Sequence, residues 1–353
     1  MSKKVLAFLL ALVMIFTVAA CGNSGESGTD TEKSAEPVVW KVSMSNDEAN
    51  FMSVAWKHWG DEVEKATEGR VKLQWYWSNT LIDSNEGWDN LLAGVADVAD
   101  VHRYANNGFI FSEKWKSLTS GVPTDAVVEF SYKLWDEFPE IRDEYKDVQV
   151  LAQGYNGGTV YDILTVKKPV KTVADLKGLT IWCEADWNDF LTECGATPVN
   201  TPWAEVYSSL QKNMYDGLMI ASETMQSCMF AEVCKYVTEI NVAYLMGPGE
   251  LCNLDSWNKI SKEDQETILG LAHIVEDEQM EEFVKSCDTA KEFAETQYGA
   301  TYIQPTEEAQ AEFDQCLYNA NLKAAQELDA KGFLATKVVE KLAEWTKEWN
   351  ESH

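Results

Sequence analysis

Acid–base and nucleophilic chemistry needs imidazoles, thiols or carboxylates held close together, and this chain of 353 residues supplies them unevenly. Its four histidines stand at positions 58, 102, 273 and 353, none beside an obvious nucleophile. Paired carboxylates are unavoidable among 58 acidic residues, so their presence discriminates nothing. Runs such as Glu276-Asp277-Glu278 and Glu281-Glu282 read as solvated faces. No G-x-S-x-G, G-x-x-x-x-G-K-[ST], H-E-x-x-H or G-x-G-x-x-G occurs. Seven cysteines follow Cys21, at 183, 194, 228, 234, 252, 287 and 316, without a C-x-x-C or a zinc-ligand spacing. They read as small buried hydrophobes; seven is odd, so at least one thiol stays unpaired. No cofactor, no metal and no enzymatic activity are expected. What stands out is aromatic: 14 Trp against only three Arg, at 70, 103 and 142. A Trp face attracts cations more strongly than any other side-chain ring.

The elements that must position such residues belong to a globular chain, with 45% hydrophobic and 25% charged residues. The length fits two compact lobes. A formal charge of −29 argues against nucleic acid and against anionic membrane surfaces as partners.

Residues 1–20 read as an address rather than as part of the fold. Lys3 and Lys4 precede an apolar run from Val5 to Ala20, too short for a comfortable span and flanked like a signal peptide. Val18-Ala19-Ala20-Cys21 resembles the lipobox of bacterial lipoproteins, which implies cleavage before Cys21 and a lipid on its thiol. Removal of 1–20 takes away two Lys and no acid, moving the charge from −29 to −31. Residues 21–37, the Cys and a stretch rich in Gly, Ser and acids, form a flexible tether. The expected location is extracytoplasmic, lipid-anchored to the bacterial cell membrane.

Strand patterns at 38–44, 71–77, 95–101, 148–153, 160–166, 179–183 and 217–221 alternate with helical patterns. Ser45-Asn46-Asp47 reads as the turn and N-cap of a helix over 48–66. This α/β alternation predicts largely parallel sheets. A helix capped by Ser261 could run to about Tyr298, and helices at 306–330 and 333–350 close the chain.

At Lys168-Pro169 through Thr172, Asp175 and Gly178 to Ile181, the chain resembles the extracytoplasmic solute-binding subunit of TRAP transporters, the DctP type. The similarity continues through Gly195 to Val199, Pro202-Trp203-Ala204-Glu205-Val206-Tyr207, Leu210-Gln211 and Asp216-Gly217. Upstream, Thr67-Glu68-Gly69-Arg70 and Gly94 to Asp97 match as well. The resemblance implies a two-lobe periplasmic-binding-protein-like fold with a hinge and a long helix spanning both lobes. It places lobe I at 38–158 plus about 246–285, and lobe II at 159–245 plus about 286–353. It also implies a small-molecule solute trapped between the lobes and handed to TRAP membrane permease subunits, with no reaction catalysed.

The chain departs from that family where solute is held. Trp182 stands where the family carries the arginine that clamps a carboxylate. A second family arginine falls at Asp162, or at Tyr161 with a one-residue slip. The family's ligand asparagine falls at Ile220, and its acidic ligand position near His102. Trp203 takes the place of the aromatic that stacks on solute. Two cations lost and an acid gained favour a cationic or zwitterionic amine in an aromatic cage of Trp182 and Trp203, with Asp162 as counter-charge. Glu184, two residues past Trp182, would share its side if the strand continues. Ser45 and Asn46, at the end of the first strand, are further candidates. The competing readings are a small carboxylate held by Arg103, and a surface sensor or scavenger that uses the fold without a permease. Adjacent strand residues face opposite sides, so His102 and Arg103 should not both meet one solute unless the strand has ended.

Overall fold

The computed structural model describes residues 36–353 apart from 154–159 and 246. The leader, Cys21 and all but the end of the tether lie outside the described residues.

Val38-Val39-Trp40-Lys41-Val42-Ser43 is rich in branched and aromatic residues, and it forms strand β1 (Val38–Ser43). β2 (Val71–Tyr76) and β3 (Val98–Ala99) lie parallel to it on either side, Val38 opposite Val71 and Val42 opposite Val98. β4 (Val148–Val150) and β10 (Leu251–Asn253) complete a five-stranded sheet of order β2-β1-β3-β10-β4. β10 runs antiparallel to both its neighbours.

The second sheet has six strands, β5 (Tyr161–Thr165), β6 (Thr180–Trp182), β7 (Thr197–Val199), β8 (Gly217–Ala221), β9 (Tyr236–Val242) and β11 (Thr301–Ile303). Their order is β11-β9-β5-β8-β6-β7. β5 is antiparallel to β8 and β9, whereas β6 is parallel to β7 and β8. Both sheets are therefore mixed, which corrects the largely parallel expectation. One strand in each sheet runs against the rest, β5 in the second and β10 in the first. The periodicity singled out neither β9 nor β10.

Several expected elements are shorter. The strand expected over 95–101 is reduced to Val98–Ala99; on either side of it Asp97 Oδ2 accepts from Lys41 N of β1 at 2.8 Å and Asp100 accepts from the Ser45 hydroxyl. The first helix spans Phe51–Ala66 and is capped by Asn50, whose side chain accepts from Met52 N at 2.9 Å. Asp47 instead closes a tighter turn onto Ala49 N. Thr172 and Asp175 form a capping box at the start of the helix Val173–Leu176.

Around the first sheet, Trp40, Trp56, Trp59 and Trp257 pack with Val42 and Val63. Around the second, one core faces β6 through Ile181 and the other through Trp182, in keeping with strand alternation. Phe111 to Ile141 packs into the second sheet's core, against Tyr161, Ile163 and Trp187. A boundary at residue 158 would leave that segment in the first lobe; its apolar face buries against the second. The helical run from Lys262 to Tyr298 is interrupted at Leu271, giving helices Lys262–Gly270 and Ala272–Tyr298. The longer one places Ala272 and Val275 in the first sheet's core and Ala290 and Ala294 in the second's. It therefore bridges the two.

Candidate functional site

Two crossing segments form the floor between the sheets. Gly249 N donates to Ala152 O at 2.7 Å and Leu151 N to Glu250 O at 3.3 Å, so 151–152 and 249–250 run as a short paired ribbon. Glu276, from the bridging helix, accepts from Gln153 N at 2.9 Å and from the Tyr132 hydroxyl at 2.7 Å. A single carboxylate thus ties the ribbon to the helix that spans both cores. Burial pushes its pKa up, only partly offset by the bonds from Tyr132 and Gln153.

On the first-sheet side, the ends of β1 and β3 are joined: the Ser45 hydroxyl donates to Asp100. Asn46 follows, its carbonyl accepting from Ser78 N at 2.9 Å. His102 is exposed, with Nδ1 at 3.0 Å from Asn85 Oδ1 and 3.2 Å from the Tyr104 hydroxyl. Arg103 points elsewhere, onto the Pro248 carbonyl at the ribbon and 5.9 Å from the Tyr145 ring centroid. β3 has ended at Ala99, so these neighbours are not governed by strand alternation; they meet different partners all the same.

On the second-sheet side the candidates separate into three groups. Trp182 and Trp203 come together, ring centroids 5.5 Å apart. Trp182 is 5% exposed, donates from Nε1 to Thr201 O at 3.1 Å and sits in the core among Leu164, Leu210 and Leu218. It fills the space as a core residue does. Trp203 opens helix Trp203–Gln211, rests edge-on against Phe230 and is 51% exposed.

Asp162 does not join them. It is 3% exposed and accepts from Asn241 N at 3.2 Å. Burial pushes its pKa up to about 7; the bonds from Asn241 and Ser222 pull down, Glu239 pushes up and Lys291 pulls down. Among the described residues its neighbours are Asn241, Ser222, Glu239, Lys291 and Cys287 rather than either tryptophan. A cage of Trp182 and Trp203 closed by Asp162 is not what these residues form. Asp162 faces Cys287 and Lys291 of the bridging helix instead.

Glu184 is the third correction. β6 ends at Trp182, and Glu184 begins a short 3₁₀ turn, Ala185–Trp187, with extended φ −68° and ψ 152°. The strand does not continue, so Glu184 turns away from the Trp182 side. It meets Tyr161, whose hydroxyl donates to Glu184 Oε2 at 3.0 Å. Both meet Lys116, which sequence reasoning missed. Lys116 contacts the Glu184 carboxylate and lies 3.4 Å from the Tyr161 hydroxyl. Burial works against its charge, but Tyr244, Tyr161 and Glu184 outweigh it and hold the ammonium well above the usual lysine range. No motif surrounds Lys116, and only the fold of helix Trp115–Thr119 against β5 brings it there. The adjacent Trp115 Nε1 donates to Leu245 O at 2.6 Å, which fixes that helix to the chain just before the ribbon.

Among the described residues no group of His, Cys, Asp or Glu is arranged to hold a metal ion. The seven cysteines all carry free thiols. The arrangement offers charged and aromatic surface at a hinge, suited to holding a small polar molecule by contact.

Comparison with known proteins agrees with this geometry. The family model DctP, described as bacterial extracellular solute-binding protein, family 7, matches residues 42–327. A TRAP periplasmic solute-binding protein of Rhodobacter sphaeroides, in an apo open structure, superposes with a TM-score of 0.74 at 22% identity, covering 87% of this chain and 99% of that one. One from Desulfovibrio salexigens, an open complex, gives 0.73 at 24% identity over 88% and 96%. The ectoine/5-hydroxyectoine-binding periplasmic protein UehA of Ruegeria pomeroyi is 24% identical over 264 residues, 72% of this chain and 74% of its own length. The chain spans about half the length of the first curated relatives it matches, 48% and 55%.

Proposed function

This chain belongs to the bacterial extracellular solute-binding proteins of family 7, and from that premise we propose that it captures a small organic solute between its two sheets and delivers it to a TRAP-type secondary transporter. The family binds solutes and is not one of enzymes. The observation that carries the reading is the paired ribbon at 151–152 and 249–250, with charged and aromatic side chains beside it. Hinge closure over a small molecule needs such a narrow connection between two independently packed cores. Lipidation at Cys21 is part of the proposal, since it would hold the protein beside its membrane partners.

The nature of the solute is a second part. The amine cage read from the sequence rested on Trp182, Trp203 and Asp162 acting together. Of these, Trp203 has the exposure a stacking surface needs. Arg103 supplies a positive charge beside the ribbon, and Lys116 and Glu184 supply both signs at the start of β5. The name of the Ruegeria pomeroyi relative gives ectoine and 5-hydroxyectoine. A relative from Escherichia coli is named for 2,3-diketo-L-gulonate. Both names support an organic solute bearing a carboxylate rather than a purely cationic one.

The test is native mass spectrometry of the protein as purified, followed by a thermal-shift screen. A retained small molecule, or a solute that at ~100 times its dissociation constant adds ~2.7 kcal/mol of stability, is the expected result. No bound species and no response to any solute would overturn the reading. A gene neighbourhood lacking both membrane subunits, with solute binding intact, would favour the sensor or scavenger instead.

A further inference from the structure

A half-buried ion pair lies at the start of β5 and just past the end of β6. Lys116 Nζ contacts the Glu184 carboxylate, and the Tyr161 hydroxyl bonds to the same carboxylate at 3.0 Å. The ring centroids of Tyr161 and Tyr244 each lie 5.7 Å from the ammonium. Trp187 packs behind Tyr161 at 4.9 Å. All three rings are buried, whereas the Lys116 and Glu184 side chains are 28% and 43% exposed. The pair therefore has a dry aromatic floor and a mouth open to water.

A half-buried ion pair constrains what can enter it. Pulling one partner away leaves the other without its counter-charge above the buried rings. A solute with only a carboxylate would set two anions against one ammonium. A solute with only an ammonium would set two cations against one carboxylate. A solute with both charges replaces each partner in turn, while the ring faces beneath keep the Lys116 ammonium in place. Glu184 is placed to yield, because it caps a short turn beyond the end of β6.

We propose that Lys116 and Glu184 form a binding site for a zwitterionic organic solute, its carboxylate on Lys116 and its cationic group on Glu184, with the direct pair opening as the solute enters. The inference rests on the solute-binding reading above and specifies its site and charge class. Lys116 is the anchor and Glu184 the selector.

Calorimetry and thermal shift on the purified full chain test it, with probes that share one skeleton: 4-aminobutanoate, butanoate and butylammonium, and ectoine as a second zwitterion. The expected result is that at least one zwitterion binds tenfold or more tightly than either single-charge probe. Lys116→Met should abolish zwitterion binding. Glu184→Gln should weaken it tenfold or more while strengthening butanoate. Should Lys116→Met fail to fold, the double exchange Lys116→Glu with Glu184→Lys restores the pair and should restore zwitterion binding. Single-charge probes binding as tightly as the zwitterions would overturn the proposal. So would a preference unchanged in Glu184→Gln, or no response to any of the four probes. Native mass spectrometry separates the two failures: a retained solute whose binding ignores both substitutions sinks this site alone, while no solute at all sinks the function with it.

Discussion

Trp182 and Trp203 stand 5.5 Å apart ring to ring, yet only Trp203 reaches water, 51% exposed against 5%. One tryptophan is packing and its neighbour is surface. Trp182→Ala removes a buried indole from among Leu164, Leu210 and Leu218 and should cost about 3–5 kcal/mol of stability, read by chemical denaturation. Trp203→Ala should leave the denaturation midpoint nearly unchanged and reduce solute affinity instead. A large stability loss from Trp203→Ala alone would contradict this division.

Gly217 tests the second sheet. A Cβ placed there would meet Leu164 O at 2.2 Å, a backbone atom of the neighbouring strand that cannot step aside. Gly217→Ala should therefore cost about 1–3 kcal/mol or more, or prevent folding. Gly94→Ala is the control for space, since nothing lies within 4 Å of its added Cβ, although its φ of 73° still brings backbone strain. Equal effects of the two substitutions would show that the close approach at β5 does not matter.

Asp162 predicts a pH dependence with a definite sign. Its folded pKa is raised to about 7 by burial, so the native state keeps a proton that the unfolded chain releases near pH 4. The stabilisation is complete at low pH and is lost as pH rises toward 7 and just above, a change on the order of 3–4 kcal/mol. Glu239, Lys291, Cys287 and Tyr302 surround the group. Asp162→Asn keeps the acceptor for Asn241 N and removes the titration. The difference in melting temperature between the two proteins should grow from pH 4 to pH 8 in the variant's favour. Parallel curves would exclude the assignment.

Glu276 makes the ribbon measurable. Its carboxylate holds Gln153 N and the Tyr132 hydroxyl at once. Glu276→Ala should speed hydrogen exchange at the Gln153 amide selectively, with the strand amides of β1 and β5 little affected. Unchanged protection at Gln153 would mean that the ribbon is held by other contacts.

Local signals in the sequence account for the elements that make their own caps and stripes. The Thr172–Asp175 box, the Met52–Trp56–Trp59–Val63 stripe and β8 all follow from short-range rules. β10 was not legible, because three residues buried by neighbours on both sides carry no period of their own. The site divides the same way. His102 and Arg103 lie past the end of β3 at Ala99 and meet different partners without strand alternation to set them, and Glu184 did not follow Trp182 because β6 ends at Trp182. Lys116 had no local signal at all; it meets Glu184 across 68 residues of chain.

The chain passes from one sheet to the other and back repeatedly, through Phe111 to Ile141, then β4, then β5 to β9, then β10 and the bridging helix. The first sheet is incomplete until Leu251–Asn253 is in place, and the second until Thr301–Ile303. A nascent chain threaded in this way has no early segment able to finish folding by itself. By the same token neither half can be cut out as a contiguous fragment and expressed alone.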